Sequence, residues 1–384
     1  MKILFLGDAS MAHYNLALGL KRLGHETLVI SEPLRWRQMP QDITLERKPG
    51  RWGAVRYLAQ VLTLLPRLRG YDVVQLVGPN FLALKKERLR KIYDYLRRHN
   101  KCVVLSALGD DYYWVHGSSD LHLFRYGDFN IGDQDRRLTF PYAREQYEQW
   151  SEAEAHSLNE HIARTCDAIT PISYEYYECY RQYFVAKTHY MPLPIVPDKP
   201  ESTTFGIPQK VRIFIGIQRR RSQYKGTDIM LQAAQDVVNR YPTRASLTVT
   251  ENLPYSEYVR AMEGCDILLD QLYSYTPGMN GLIGMSKGLI CVGGGEPELY
   301  ELEEESELRP IINVWPTYET VFQALEQLVL HPEQIPLLKK QSVEYIMRHH
   351  HYKKVAMRYE ALYKSFFLNK PTPQVRIFMP TFVA

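Results

Sequence analysis

A cluster of four basic residues is the strongest chemical signal in this sequence. Residues 211–228 read as an apolar strand, a short loop and the start of a helix, and the loop carries Arg219, Arg220, Arg221 and Lys225. Such a loop lies beside the free N–H groups and the positive dipole end of the next helix, which favour an anion. Arginine can hold two phosphate oxygens at once, and lysine adds a mobile charge. The pattern predicts a site for a doubly charged phosphate, although we expect at least one of the arginines only to face solvent.

Two later strand ends carry small residues that would let a ligand approach the backbone. The first is a helix start after the strand at 267–269, with Gly278, Met279, Asn280 and Gly281. The second is the run GGGEPE at 293–298, which contains Gly294, Gly295 and Glu296. Glu296 is predicted to bind a sugar hydroxyl. A plain strand-to-helix turn and an ordinary flexible loop are the alternative interpretations.

The N-terminal half offers further candidates at predicted strand ends. The loop from Gly7 to His13 follows the first strand, and Asp110 follows the strand at 102–105. A carboxylate at that position could bind acceptor hydroxyls or act as a base. A helix-capping or half-buried histidine and a solvated turn are the competing interpretations.

These residues require a framework of alternating strands and helices. Apolar runs predict strands at 2–6, 27–30, 73–77, 102–105, 168–171, 211–215, 247–250, 267–269, 289–292 and 311–314. Helical spacing fits 12–23, 53–65, 83–98, 142–165, 228–240, 255–263, 279–287, 318–330, 333–345 and 352–366. The alternation predicts an α/β protein of two doubly wound, Rossmann-like domains with parallel sheets, which bind a ligand in the cleft between their strand ends.

Two stretches interrupt the alternation. Residues 117–140 show no period and many turn residues, so we predict a long surface loop. A proline-rich stretch predicts a linker at 193–204 between an acceptor-side domain at 1–192 and a donor domain at 205–350, with a tail at 367–384.

Composition limits the class of protein. The chain has 384 residues, 45% of them hydrophobic and 23% charged, which is typical of a globular protein. The N-terminus reads better as a first strand than as a signal peptide, and the five scattered cysteines indicate a reducing compartment, so we expect a cytoplasmic protein. The histidines at 349–351 have no ligand spacing, so no metal is expected. The loop after the first strand lacks G-x-G-x-x-G, which argues against a nicotinamide cofactor.

The charge distribution is uneven. Residues 35–101 hold sixteen Lys/Arg against five Asp/Glu, whereas the whole chain carries only +4. This stretch is predicted to contact an anionic membrane surface, unless its helices simply present solvated faces. No nucleic-acid-binding motif accompanies the charge, so nucleic acid is not expected.

The chain resembles GT-B glycosyltransferases of the retaining group related to bacterial polysaccharide-assembly enzymes. The resemblance covers most of the chain and includes MKILFLGD, IGIQRRR…YKGTD, GLIGMSKG and HHHYKKVAMRYEALYKSF. It implies that Arg219 or Arg220, with Lys225, holds the donor's diphosphate without a metal. It also implies that the last helix, at about 352–366, crosses back to the N-terminal domain. Two family glutamates are replaced by Tyr275 and Ile283, which leaves the ribose contact to Glu296 or Glu251.

The resemblance implies a glycosyltransferase that moves a sugar from a nucleotide-diphosphate donor to a saccharide or lipid-linked acceptor. The predicted catalytic residues are Arg219, Arg220, Lys225, His13 and Asp110. The predicted donor-binding residues are Gly7, Gly216, Lys225, Glu251, Tyr275, Gly278, Met279, Asn280, Gly281, Gly294, Gly295 and Glu296. A nucleotide-sugar epimerase of the same fold and a non-catalytic nucleotide-sugar or glycan binder remain open.

Overall fold

A computed structural model describes residues 1–33, 42–197 and 204–368. Parts of three predicted features therefore lie outside the described residues. They are 35–41 of the basic stretch, 198–203 of the linker and 369–384 of the tail.

The described residues form thirteen strands and sixteen α-helices. The strands are β1 Lys2–Leu6, β2 Glu26–Ser31, β3 Ile43–Thr44, β4 Val73–Leu76, β5 Cys102–Ala107, β6 Asn130–Ile131, β7 Gln134–Asp135, β8 Ala168–Pro171, β9 Val211–Ile217, β10 Ala245–Glu251, β11 Ile267–Leu269, β12 Ile290–Gly293 and β13 Ile312–Asn313. The helices are α1 Ala12–Arg22, α2 Gly50–Leu64, α3 Lys86–His99, α4 Tyr112–Ser118, α5 Arg136–Thr139, α6 Pro141–Ser151, α7 Ala153–Thr165, α8 Tyr174–Phe184, α9 Ser222–Lys225, α10 Thr227–Arg240, α11 Tyr255–Met262, α12 Met279–Ser286, α13 Pro297–Leu302, α14 Tyr318–Leu330, α15 Ile335–Tyr345 and α16 Tyr352–Leu368.

Two parallel sheets organise the molecule. The first has the strand order β3-β2-β1-β4-β5-β8, and the second has the order β10-β9-β11-β12-β13. Every residue of β4 and of β5 is buried, which is the continuous apolar pattern of parallel strands covered by helices on both faces. All ten predicted strands and all predicted helices are present, with ends shifted by a few residues, except that the helix predicted at 142–165 is two helices, α6 and α7.

The last helix packs against the first domain, although it follows the second domain in the sequence. Helix α16 packs against α1, where a Cβ on Gly19 would lie 2.6 Å from the Cβ of Ala356. The Tyr363 hydroxyl donates a hydrogen bond to Gln75 of β4, at 2.9 Å. The chain therefore crosses between the sheets twice, and the crossings meet where the Ile195 N–H donates to the His350 carbonyl.

The prediction of a surface loop at 117–140 is wrong. This region, which we call the bridging segment (residues 119–140), contains the β6–β7 hairpin and α5. It buries Phe124, Tyr126 and Phe129 in an aromatic cluster that also includes Tyr275 from the second domain. The segment shows no helical or strand period because its apolar residues pack against distant parts of the chain rather than along one face of one element.

Candidate active site

A cavity of about 420 Å³ lies between the two sheets at the carboxyl ends of their strands. The loops after β1 and β5, the bridging segment and α8 line it on the first domain. The loop after β9 and the loop between β11 and α12 line it on the second. This is the position at which open α/β sheets bind their ligands.

The basic loop supplies two cations to this cavity, Arg221 and Lys225. The side chain of Arg221 is half-buried against the Tyr224 ring, 5.0 Å from its centre, and its Nε has no hydrogen-bond partner within the described chain. Burial lowers the pKa of Lys225, and the nearby Arg221 lowers it further, whereas the carboxylate of Asp270 opposes both effects. Two positive charges thus face one enclosed space.

The assignment of Arg219 and Arg220 to the diphosphate is corrected by this geometry. Both side chains are exposed and neither lines the cavity, and Arg219 forms an ion pair with Glu251 on the surface. Residues 219–221 form a tight turn, so that three consecutive side chains point in three directions and only the third faces inward. Arg221, which belongs to the predicted basic loop but was not assigned to the diphosphate, takes the place of its neighbours.

Two carboxylates besides Glu175 line the same cavity. Asp110 follows β5, as predicted, and Asp128 comes from the bridging segment. Burial raises the pKa of Asp110, and it raises the pKa of Asp128 to about 7, although Arg221 counteracts this effect on both groups. Within the described chain none of the four charged groups forms an ion pair at 4.0 Å or less. The cavity therefore holds cations and carboxylates that do not pair with one another.

Glu175 links the first domain to the second through hydrogen bonds at the edge of the cavity. It lies in the first turn of α8, and its Oε1 accepts hydrogen bonds from the Ser274 hydroxyl at 2.6 Å and from the Tyr275 N–H at 2.7 Å. Its Oε2 accepts from the Thr276 hydroxyl at 2.9 Å. The residue was missed in the sequence because its partners are about 100 positions away and no local pattern marks it.

Tyr275 is a structural residue, contrary to its predicted role in donor binding. Its side chain is buried, its ring stacks on Tyr174 with centres 5.6 Å apart, and its hydroxyl accepts a hydrogen bond from the Arg125 N–H at 2.8 Å. It does not line the cavity. Ile283, at the second glutamate position, packs against an apolar cluster. The two family glutamates are thus replaced by residues that serve packing.

The start of α12 is only partly available to a ligand. Gly278 and Met279 line the cavity, as predicted. The Asp270 carboxylate, however, accepts hydrogen bonds from the Gly278 N–H at 2.8 Å and from the Asn280 amide at 3.3 Å. A Cβ on Gly281 would lie 2.7 Å from that carboxylate. Asn280 and Gly281 therefore accommodate Asp270 rather than a ligand, and a protein carboxylate already occupies the anion-favouring end of this helix.

The GGGEPE run packs against protein rather than against the cavity. A Cβ on Gly294 would lie 1.9 Å from the Ser274 carbonyl oxygen, and one on Gly295 would lie 2.7 Å from Ile311. Glu296 is buried and accepts hydrogen bonds from Tyr126 and Arg125 of the bridging segment. The predicted ligand contacts of these three residues are corrected, because close backbone packing explains the glycines.

His13 lies beneath the first-domain loop and outside the cavity lining, which begins with Ala9 and Ser10. Its Nδ1 donates to the Gly7 carbonyl at 2.7 Å, and its Nε2 is 3.0 Å from the Ser106 hydroxyl. Burial lowers the pKa of His13 to about 4, so the ring is neutral. His13 and Gly7 shape the loop and do not reach the site where their catalytic and donor-binding roles were predicted.

Gly216 and Glu251, the remaining predicted donor contacts, also lie outside the cavity lining. Gly216 is in β9, where a Cβ would lie 2.3 Å from the ring of Tyr258. Glu251 pairs with Arg219 at the end of β10. Among the described residues, no group of three or more His, Cys, Asp or Glu side chains is arranged to hold a metal ion.

Comparison with solved structures defines the fold. Neither protein-family models nor curated proteins give a match. The structure is similar to sucrose-phosphate synthase from Thermosynechococcus elongatus, with a TM-score of 0.60 and 13% identity over 96% of this chain and 100% of that one. It is similar to Anabaena HepE in complex with UDP and glucose, with a TM-score of 0.57 and 12% identity over 95% and 100%. It is also similar to WaaG, a glycosyltransferase involved in lipopolysaccharide biosynthesis, with a TM-score of 0.57 and 12% identity over 93% and 98%.

These similarities confirm the predicted fold class. The chain has the GT-B architecture, in which two doubly wound domains face each other across a cleft. Sequence identities of 12–13% support a shared fold but not a shared activity. The residues of the cavity are the better indication of the activity.

Proposed function

We propose that this protein is a glycosyltransferase that moves a sugar from a nucleotide-diphosphate donor to a saccharide or lipid-linked acceptor. The observation that carries the proposal is the presence of two cations in the interdomain cavity of a GT-B fold, Arg221 and Lys225, which have no ion-pair partner among the described residues. HepE, which shares the fold, was crystallised with UDP and with UDP-glucose. A diphosphate is the group that such a pair of cations fits best.

The chemistry follows from where charge develops. When the bond between the sugar and the diphosphate breaks, negative charge builds on the leaving phosphate. Fixed cations in a site of restricted water access stabilise that charge without reorganisation. Arg221 would bind phosphate oxygens through its planar fork, and Lys225 would add a second charge. Retention of configuration and independence of a divalent metal belong to the proposal, and they rest on the resemblance to the retaining group.

Incubation with nucleotide sugars tests the proposal. We expect one of them to stabilise the protein in a thermal shift assay, by about 2.7 kcal/mol at 100 times its dissociation constant. We also expect release of the nucleoside diphosphate that depends on added saccharide. Conversion of the donor sugar without an acceptor would instead indicate an epimerase. Binding without any release would indicate a non-catalytic binder, which the loss of both family glutamates at Tyr275 and Ile283 favours as the second candidate.

We further propose that the first domain docks on an anionic membrane, at the cytoplasmic face in a bacterial surface-polysaccharide pathway. Residues 42–101 carry fourteen Lys/Arg against five Asp/Glu. Helix α2 presents Trp52, Val55 and Leu62 to solvent, and Trp52 is 87% exposed. Since α2 follows the parallel strand β3, its first turn lies at the carboxyl edge of the sheet, which is also the edge of the cavity. No described helix is long and apolar enough to cross a bilayer.

Vesicle sedimentation tests this docking. The protein should pellet with vesicles that contain anionic lipid and much less with neutral ones. A Trp52→Ser/Val55→Ser double variant should lose most of this binding. Leu138→Ser is the matched control, because Leu138 is 76% exposed but lies in the bridging segment. Equal sedimentation with both kinds of vesicle, or equal loss in the control, would rule out the assignment.

A further inference from the structure

Asp128 is a carboxylate of the cavity that a hydrogen bond from the other domain holds in place. It lines the cavity, and its Oδ2 accepts a hydrogen bond from the Tyr224 hydroxyl at 2.5 Å. Its Oδ1 receives no hydrogen bond from any other described side chain or backbone group. One oxygen is therefore fixed by the second domain, and the other is unpaired within the described chain, in a residue that lines the cavity. A carboxylate held in this way is an oriented hydrogen-bond acceptor.

The partner of Asp128 places it next to the phosphate-binding cations. Tyr224 immediately precedes Lys225, and its ring lies under the guanidinium of Arg221. Asp128 comes from the first domain and Tyr224 from the second, so this hydrogen bond forms across the cleft. The carboxylate consequently lies one side chain away from the site proposed for the diphosphate. In a nucleotide sugar the group attached to the terminal phosphate is the sugar itself.

The remaining lining of this part of the cavity suits a sugar. Asp110 lies close enough for its charge to raise the pKa of Asp128. Trp114, Phe124 and Tyr176 contribute aromatic side chains to the lining. A few fixed polar groups within an aromatic wall are the usual composition of a pocket for a small neutral ligand. In their ionised forms the two carboxylates repel a phosphate, whereas hydroxyl groups can donate hydrogen bonds to them.

We propose that Asp128 binds a hydroxyl group of the donor's sugar and thereby supplies the carboxylate near that sugar that the glutamate replaced by Tyr275 supplies in related enzymes. This inference rests on the proposed function, because it presumes a nucleotide-sugar donor. It names a sugar-binding residue on the first domain, in a segment whose sequence shows no motif. It also explains why the bridging segment reaches into the cleft.

Calorimetric titration of Asp128→Asn tests the proposal. Asparagine keeps an oxygen that can accept from Tyr224 but removes the negative charge. The probes are UDP, ADP and GDP, together with UDP-glucose, UDP-galactose, ADP-glucose and GDP-mannose. We take the sugar nucleotide that the wild type binds best and the nucleoside diphosphate with the same base. We expect the variant to bind that sugar nucleotide about tenfold more weakly than the wild type does. The diphosphate alone should bind as well as to the wild type, or more tightly, because a negative charge near Arg221 and Lys225 is gone.

The controls separate the possible failures. Asp133→Asn, an exposed residue of the same segment, should leave both affinities unchanged. The role of Asp128 would be overturned if Asp128→Asn lost affinity equally for the diphosphate and the sugar nucleotide, or lost affinity for neither. It would also be overturned if the wild type bound no sugar nucleotide more tightly than the corresponding diphosphate. A wild type that binds none of the nucleotides would instead contradict the proposed function. The melting temperature of each unliganded variant shows whether folding is intact.

Discussion

Replacing Arg221 by alanine should lower kcat/KM for glycosyl transfer by a factor of about 100 to 1,000, which is the usual cost of removing one well-aimed group that stabilises developing negative charge. Arg221 faces the cavity, and its Nε has no partner among the described residues, so its charge is available to a bound diphosphate. Steady-state kinetics with the donor identified by the binding panel would measure the loss. Arg221→Lys should recover only part of it, since lysine keeps the charge but not the two-pronged contact.

Arg220→Ala is the matched control for this experiment. Arg220 is the adjacent residue, carries the same charge and is exposed outside the cavity. Its loss should change kcat/KM by less than a factor of about three, because exposed charges are screened by solvent and salt. If the two variants behave alike, or if Arg220→Ala is the more damaging one, the inward orientation of Arg221 is not the functional one.

Gly294→Ala should destabilise the protein by about 3 kcal/mol, at the upper end of what overpacking costs. The added Cβ would lie 1.9 Å from the backbone oxygen of Ser274 and 2.7 Å from the carbonyl carbon of that residue. Backbone atoms cannot rotate away as a flexible side chain can, so the loop between β11 and α12 must shift. The midpoint of urea unfolding, with an unchanged slope, would report the difference in free energy of unfolding.

Gly206→Ala controls for the general effect of adding a methyl group to a glycine. A Cβ at Gly206 would meet no atom of the described residues within 4 Å, and neither glycine has a positive φ. We expect Gly206→Ala to be neutral or slightly stabilising, because alanine restricts the unfolded chain. A Gly294→Ala protein as stable as the wild type would mean that the loop has room that its packing does not show.

The framework of the protein could be predicted from the sequence because its signals are local. The apolar run of β9 and the spacing of α10 are set by residues within one element, and both were located to within a few positions. The basic loop was recognised for the same reason. Which arginine faces inward could not be predicted, since that depends on the turn at 219–221.

The residues that complete the site were beyond sequence reasoning because their partners are far away in the chain. Glu175 acquires its role from Ser274 and Thr276, and Asp128 acquires its role from Tyr224. No periodicity or spacing in one sequence reveals such pairs. The ligand contact predicted for the glycine run was wrong for the same reason. Gly294 packs against the backbone of another loop, which is distant in the sequence, and not against a ligand.

The bridging segment has a consequence for how the cleft can open. It contacts the second domain at several separate points, among them Arg125 on Glu296 and Arg136, whose guanidinium donates to the Gln223 carbonyl and lies 3.6 Å from the centre of the Tyr273 ring. Rotating the domains apart would separate the buried Glu296 from Arg125 and Tyr126, and the buried Arg136 from the Gln223 carbonyl, at the same time, which is costly. Opening the cleft therefore requires the segment to release the second domain and Glu175 to leave Ser274 and Thr276, so that these contacts together act as a latch on the closed cleft.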